Sequence, residues 1–282
     1  MNNKIILGFL VLVGACVWAG SSGRAQEIVV TNGQKMVCYG DLVTTWNATG
    51  FPQQVKRGLE ANDIKVDLLI VGNVGSSGKM LASLDEKVIS QKPDWMVLNC
   101  GVSDAWENQT KDHYEENMAR IVEKAQAAGI KVVIATATLA DEDPASRSSQ
   151  LIADFNASLR RLAQQHHCLI ADFDMSAAVA AAGGGANAKR GKVLLVSDYV
   201  YLNPLGNELM ARCILGTLGL NPAQLQKARD SWLDRTDICE TRASLTLRQY
   251  QQLNDIAAKQ NRPTSELVGE LAAKALATEA GH

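Results

Sequence analysis

Residues 35–42, KMVCYGDL, decide how the chain folds. An apolar run from Met36 to Tyr39 stops on Gly40-Asp41, so it reads as a strand that enters a tight turn. The run is continuous rather than alternating, which suits a strand covered on both faces in a parallel sheet. Four later runs have the same character: VDLLIVG (66–72), DWMVLNCG (94–101), KVVIATA (131–137) and CLIADF (168–173). Between them, apolar spacing predicts helices over 53–62, 79–90, 113–128 and 148–165; in the last, Leu151, Ile152, Phe155, Leu159 and Leu162 recur at helical intervals. Strands alternating with crossover helices imply right-handed βαβ units and a three-layer α/β/α domain built on a parallel sheet. Such sheets bind ligands at the carboxyl ends of their strands.

The chain has 282 residues, is 46% hydrophobic and carries a formal net charge of −2. That size accommodates one large α/β domain, placed at 30–233, with a small appendage at 242–277. Residues 177–192, rich in Ala and Gly, read as a short helix and a loop, and VLLVSD from Val193 as a short extended segment. A helix is expected from Pro204, a residue tolerated in a first turn, and another in NPAQLQKARDSWL (221–233). Near-neutral charge supplies no general attraction to nucleic acid or an anionic membrane.

The amino-terminal residues read as an export signal, 1–25: Lys4 is the positive start, 5–19 an apolar run, and SSGRAQE supplies small residues before a cut after Ala25. The run falls short of the roughly 20 apolar residues a membrane span needs. No stable membrane span is expected after cleavage. LVGAC also resembles a lipobox ending at Cys16, but the apolar run continues through Val17 and Trp18. Each version places the remainder outside the cytoplasm, periplasmic or secreted.

Five cysteines then remain: Cys38, Cys100, Cys168, Cys213 and Cys239. An odd number without CxxC spacing argues against a disulfide framework or a zinc site. Cys38, Cys100 and Cys168 sit in or beside apolar runs and read as small buried hydrophobes. Cys213 and Cys239 are left as the pair able to form a bridge.

Four short blocks fall at strand ends, where an α/β site forms: GDLVT at Gly40, NVGSSGK at Asn73, GVSDAW at Gly101 and SDYVYLNPLGNELMA at Ser197. In order and spacing, from about 35 to 220, they resemble the SGNH/GDSL hydrolase family, whose members have a flavodoxin-like sheet. The resemblance implies a nucleophilic serine after Gly-Asp, an oxyanion hole built with a glycine and an asparagine, and an Asp-x-x-His block carrying acid and base. Gly40, Asp41, Gly78, Gly101, Asp104 and Asp198 match that pattern. Leu42 stands at the serine position, Ser103 at the asparagine and Tyr201 at the histidine.

The chemistry of those three residue types points one way. Leucine has no lone pair, so a covalent acyl intermediate at position 42 is impossible. Tyrosine, with an ordinary pKa near 10, is a poor base at neutral pH. Serine is shorter than asparagine, and losing one oxyanion donor lowers rates by ~100- to 1,000-fold. Thr44, Thr45, Ser76 and Ser77 offer neighbouring hydroxyls, but a hydroxyl needs a base. His166 and His167 precede a strand, at the wrong end of the sheet; His282 is terminal; His113 lies near a helix start. Asp41, Asp104, Asp198 and Glu107 are a conceivable carboxylate cluster for a metal or for acid/base work. The competing reading, preferred here, has Asp41 and Asp104 holding loops through backbone hydrogen bonds. No cofactor or metal is called for. Trp46 and Trp106 follow the first and third blocks, either as walls of a pocket for sugar rings or acyl chains or, the preferred reading, as core residues.

The tail, 242–277, offers a short strand and two amphipathic helices, one lined by Tyr250, Leu253, Ile256 and Ala257, the other by Leu267, Val268, Leu271 and Leu276. Arg262-Pro263 separates them, and Thr264 or Ser265 can cap the second. This segment resembles the ribbon–helix–helix module of small DNA-binding repressors, with Arg242, Ser244 and Thr246 as the outward set. Export and the absence of a basic excess argue against nucleic acid as a partner. A helical hairpin that packs on the main domain or pairs two chains into a homodimer is the preferred reading. Together these features predict an exported, non-catalytic protein of hydrolase ancestry whose pocket, lined by Asp41, Gly78, Ser103, Asp104, Trp106, Asp198 and Tyr201, binds a glycan or acylated ligand, or which serves as a scaffold. An active esterase or carbohydrate deacetylase using substituted residues is the alternative; a regulator whose tail reads DNA is a third.

Overall fold

The computed structural model describes residues 27–44, 50–173, 175, 179, 201–233 and 247–280. Trp46, Asp198, Cys239, His282, the signal and lipobox residues, and the expected elements between 180 and 200 lie outside them. The chain divides into two compact units, Met1–Cys239 and Glu240–His282.

Among the described residues of the larger unit, five parallel strands form one sheet in the order β2-β1-β3-β4-β5. They are β1 (Lys35–Gly40), β2 (Asp67–Val71), β3 (Trp95–Asn99), β4 (Lys131–Ala135) and β5 (Leu169–Ala171). Every residue of central β3 is buried, while β2, at an edge, is largely half-exposed. That contrast is what burial on both faces requires. The register pairs Gly40 of β1 with Asn99 of β3, bringing the carboxyl ends of these two strands level. The chain reverses its direction of travel across the sheet between β1 and β3, the place where an open α/β sheet leaves a crevice.

The α-helices given in full by the described residues of this unit are α1 (Phe51–Ala61), α2 (Ser77–Lys87), α3 (Val102–Trp106), α4 (Lys111–Ala127), α5 (Arg147–Gln165), α6 (Pro204–Thr217) and α7 (Pro222–Leu233). Helix α1 packs on α6 and α7, and α4 lies between α2 and α5. Helix α1 starts two residues before the position expected from spacing, because Pro52 is tolerated in a first turn. Its Phe51 amide also donates to Asn207 Oδ1 of α6 at 2.8 Å. Helices α4, α5 and α6 begin at Thr110, Ser146 and Asn203, whose side chains accept from the backbone three residues on. The short α3 carries no legible period, and its start is set by a residue of β1's turn, described below.

Two glycines are dictated by geometry. A Cβ on Gly40 would lie 2.0 Å from Thr44 Oγ1 and 2.7 Å from the Asn99 carbonyl oxygen. Gly101 has φ 142° and would meet Ala137 Cβ at 2.6 Å. Beneath Gly101, the Tyr114 hydroxyl donates to the Cys100 carbonyl at 2.8 Å, and the Tyr114 ring stacks on Phe155 at 4.1 Å.

In the smaller unit, α8 (Leu247–Lys259) and α9 (Thr264–Ala280) form a hairpin. Ala257 and Leu267 are buried, whereas Tyr250, Ile256, Leu271 and Leu276 are exposed, so the lining expected for each helix is only partly covered. The Thr264 hydroxyl bonds Asn254 Oδ1 at 2.6 Å, linking the two helices. Arg262 pairs with Glu270 across the turn at 2.5 Å. Among the described residues, no helix is long and apolar enough to cross a membrane.

Candidate functional site

Two buried aspartates assemble the site. Asp41, in the turn after β1, accepts from the Val43 amide through Oδ1 (3.1 Å). Its Oδ2 takes the amides of Gly101 (3.2 Å), Val102 (2.9 Å) and Ser103 (3.3 Å), the opening of α3. Burial pushes the Asp41 carboxyl up to about 6; the amides of Val43, Ser103 and Val102 oppose that shift and the Asp104 charge adds to it. Asp104, in α3, in turn receives the Ser77 amide (2.9 Å), the Ser77 hydroxyl (2.6 Å) and the Cys100 thiol (3.2 Å). Asn117 of α4 donates to the Ser77 hydroxyl at 3.2 Å. The first and second blocks are joined by backbone alone: Asn73 N donates to Asp41 O (2.9 Å) and Val74 N to Gly40 O (3.3 Å). Ser77, Asn117 and Cys100 were missed as parts of this frame; a second serine beside Ser76 was the available signal.

Leu42 is half-buried and leans on the hydrophobic core. Of the neighbouring hydroxyls, Thr45 lies outside the described residues, and those of Thr44, Ser76 and Ser77 are built into the fold. Thr44 is 1% exposed, held against Gly40 and Gly72, and its Oγ1 has no hydrogen-bond partner. Ser76 is 4% exposed and Ser77 fully buried. His113 is exposed at the start of α4, and His166 and His167 precede β5 at the amino end of the sheet. Among the described residues no group of three His, Cys, Asp or Glu is arranged to hold a metal.

Gly78 lies exposed in the first turn of α2. Beside it Lys79 Nζ pairs with Glu107 at 2.8 Å, and Lys79, then the Ser76 hydroxyl, hold the Glu107 carboxyl below the usual range. Ser103 is buried. Tyr201 is 39% exposed and precedes Leu202, whose carbonyl accepts from Asn207 Nδ2 at 2.9 Å. Trp106 is 52% exposed, which corrects the expectation that it packs in the core: α3 ends on it, and the chain turns outward.

At the opposite end of the sheet, a recess of about 500 Å³ opens between Trp95, Gln126, Lys131, His167 and Cys168. It shares no residue with the four blocks. Cys168 there is half-buried, less than expected of a core thiol, while Cys38 and Cys100 are fully buried.

The family model of the GDSL-like lipase/acylhydrolase family matches residues 37–209. Among solved structures, an acetylxylan esterase, Axe2, from Geobacillus stearothermophilus is similar at 18% identity and TM-score 0.59, over 68% of this chain and 97% of that one. LAE5, an α/β hydrolase from the metagenome of Lake Arreo, is similar at 18% identity and TM-score 0.59, over 68% of this chain and 98% of that one. Axe2 variants with a serine, an aspartate or a histidine replaced by alanine are described as catalytic mutants. No curated protein matches the sequence. With a match across more than half its length, and with the first three blocks tied together at the carboxyl ends of a parallel sheet, this chain belongs to the GDSL-like lipase/acylhydrolase family.

Proposed function

We propose that this protein is an exported, non-catalytic member of its family, which retains the pocket to bind a glycan or an acylated ligand. The observation that carries this reading is Leu42: it follows the buried Asp41 at the tip of β1, where a hydroxyl nucleophile belongs. Three further features support it. The nearby hydroxyls of Thr44, Ser76 and Ser77 are sealed from a substrate by burial. Tyr201 occupies the base position, three residues after Asp198, the same interval that separates the aspartate and histidine replaced in the Axe2 mutants. The aspartates that frame the loops are kept, so losing the reactive groups need not collapse the cleft. Export rests on the amino-terminal 25 residues, and pairing of two chains on the half-covered hairpin.

The test is enzymatic. Purified protein is offered p-nitrophenyl acetate and acetylated xylo-oligosaccharides, then a fluorophosphonate probe. The reading expects no turnover above background and no label. Turnover that disappears in Thr44→Ala, Ser76→Ala or Ser77→Ala would replace it with an active esterase using a substituted hydroxyl.

A further inference from the structure

We propose that the rim of the cleft binds a sugar bearing a carboxylate, a hexuronate of an acidic glycan, with its ring on Trp106 and its carboxylate in the fork of Arg147. This deepens the glycan-binding reading and rests on it. Trp106 ends α3 with half of its surface open. Arg147, also exposed, begins α5. Both helices follow the carboxyl end of a strand, β3 and β4, and they pack on each other. Asn108 joins the two residues. Its Nδ2 donates to the Trp106 carbonyl at 3.4 Å, and its Oδ1 accepts from Arg147 Nε at 2.8 Å. The guanidinium therefore stands two hydrogen bonds from the backbone of an open indole.

Arg147 lacks an acid. Its Nε is taken by Asn108, and among the described residues neither Nη atom meets an acceptor. The carboxylates near it in sequence are turned to other work. Asp141 Oδ1 accepts from the Asp143 amide at 3.1 Å, Asp143 Oδ1 accepts from the Ala145 amide at 2.9 Å, and Glu142 is buried. Glu107, the residue after Trp106, is bound to Lys79 at 2.8 Å and to Gln109 Nε2 at 3.4 Å. Arg147 is thus a cation without an anion, on a stem already anchored at Nε. A planar acceptor that meets its fork has less side-chain freedom to remove.

The ligand class follows from using both residues at once. An open indole face receives the apolar face of a sugar ring, and a guanidinium fork receives both oxygens of a carboxylate in parallel N–H···O bonds. A neutral sugar leaves the fork empty; a free acid leaves the indole bare. Phosphorylated ligands favour clusters of arginines, whereas Lys79, the cation bound to Glu107, is already matched. One unshared guanidinium beside one indole fits a single carboxylate on a ring. Arg147 lies outside the four blocks, so this recognition needs none of the positions held by Leu42, Ser103 and Tyr201.

The experiment titrates the full chain by isothermal calorimetry with two probes: a xylotriose carrying one glucuronate branch, and the same oligosaccharide with its carboxyl reduced to the alcohol. The acid should bind at least about tenfold more tightly than the reduced form, the worth of a charge-assisted pair, and added salt should narrow the gap. Arg147→Ala should make the two probes equal. Arg147→Lys should keep only part of the preference, because an ammonium has no fork. Asn108→Ala, which frees the stem, should weaken the acid and leave the reduced probe unchanged, while Trp106→Ala should weaken both. Circular dichroism checks that these surface variants fold. The proposal is overturned if the parent binds both probes alike, if it binds neither, or if Arg147→Ala keeps the preference. Equal binding removes the uronate and leaves the glycan reading standing. Failure of the non-catalytic reading looks different: it is turnover of p-nitrophenyl acetate with a covalent adduct in the pocket, whatever the calorimetry shows.

Discussion

The carboxylate of Asp104 grips Ser77 twice, through its amide at 2.9 Å and its hydroxyl at 2.6 Å. One acid thus both starts a helix and immobilises the hydroxyl of its first residue. In the same way Asp41 begins α3 from 60 or more positions upstream. Neither bond involves Leu42, Ser103's hydroxyl or Tyr201, so frame and reactive positions are physically separate, and each can be tested alone.

The reactive positions can be rebuilt. Leu42→Ser, Ser103→Asn and Tyr201→His together supply nucleophile, oxyanion donor and base on the existing frame. Weak esterase activity on p-nitrophenyl acetate and fluorophosphonate labelling at position 42 are expected. Leu42→Ser alone, without a base, should fall about 10³- to 10⁴-fold or more below the triple variant in kcat/KM.

The frame can be broken. Asp104→Ala strands the Ser77 amide and hydroxyl and should lower stability by roughly 2–4 kcal/mol, since each buried polar group left unpaired costs about 1–3 kcal/mol. Urea unfolding followed by circular dichroism measures it. Asn117→Ala, which removes one donor to an already engaged hydroxyl, should have a smaller effect.

How much of this was legible in the sequence depends on distance along the chain. The strands were readable because each is a local apolar run, and the four blocks because each is short and contiguous. The two aspartate clamps tie residues 27 to 62 positions apart, and no local pattern announces such bonds. Thr44 illustrates the limit: as a residue type it is a possible nucleophile. Gly40 and Gly72, lacking side chains, leave the space into which it is drawn, out of reach of any substrate. Trp106 failed for the opposite reason, because a helix of only five residues has no period from which to infer its inward face.

That close approach gives another test. Gly40→Ala places a methyl group against Thr44 Oγ1 and the Asn99 carbonyl and should destabilise by about 1–3 kcal/mol. Thr44→Ala in the same chain should recover only part of the loss, since the clash with the Asn99 backbone at 2.7 Å remains. A shift in the urea midpoint without a change in slope would mark it as a packing effect.

Asp41 predicts a pH dependence. Its folded value, about 6, lies above the ordinary carboxylate value of 3.8, so the folded chain keeps a proton that the unfolded chain releases. The associated stability is present in full below about pH 4 and is lost as pH rises through about 6. Melting temperatures measured from pH 4 to 7 should therefore carry a downward component with rising pH. In Asp41→Asn, which cannot titrate, that component should vanish even if the whole curve is lower.

Trp106 should report on ligand. Because half of its surface is open, Trp106→Ala should cost less than the about 3–5 kcal/mol of a core tryptophan. If sugar rings stack there, xylo-oligosaccharides will shift the tryptophan fluorescence of the parent, and the shift will be lost in this variant.

The division of labour between the two acids also bears on descent. Since the residues that knit the loops differ from those that carry out the reaction, a lineage can surrender its chemistry one position at a time without passing through a sequence that fails to fold. Hydrolysis in such a scaffold is a removable attachment, and the crevice beneath it is free to be recruited as a receptor.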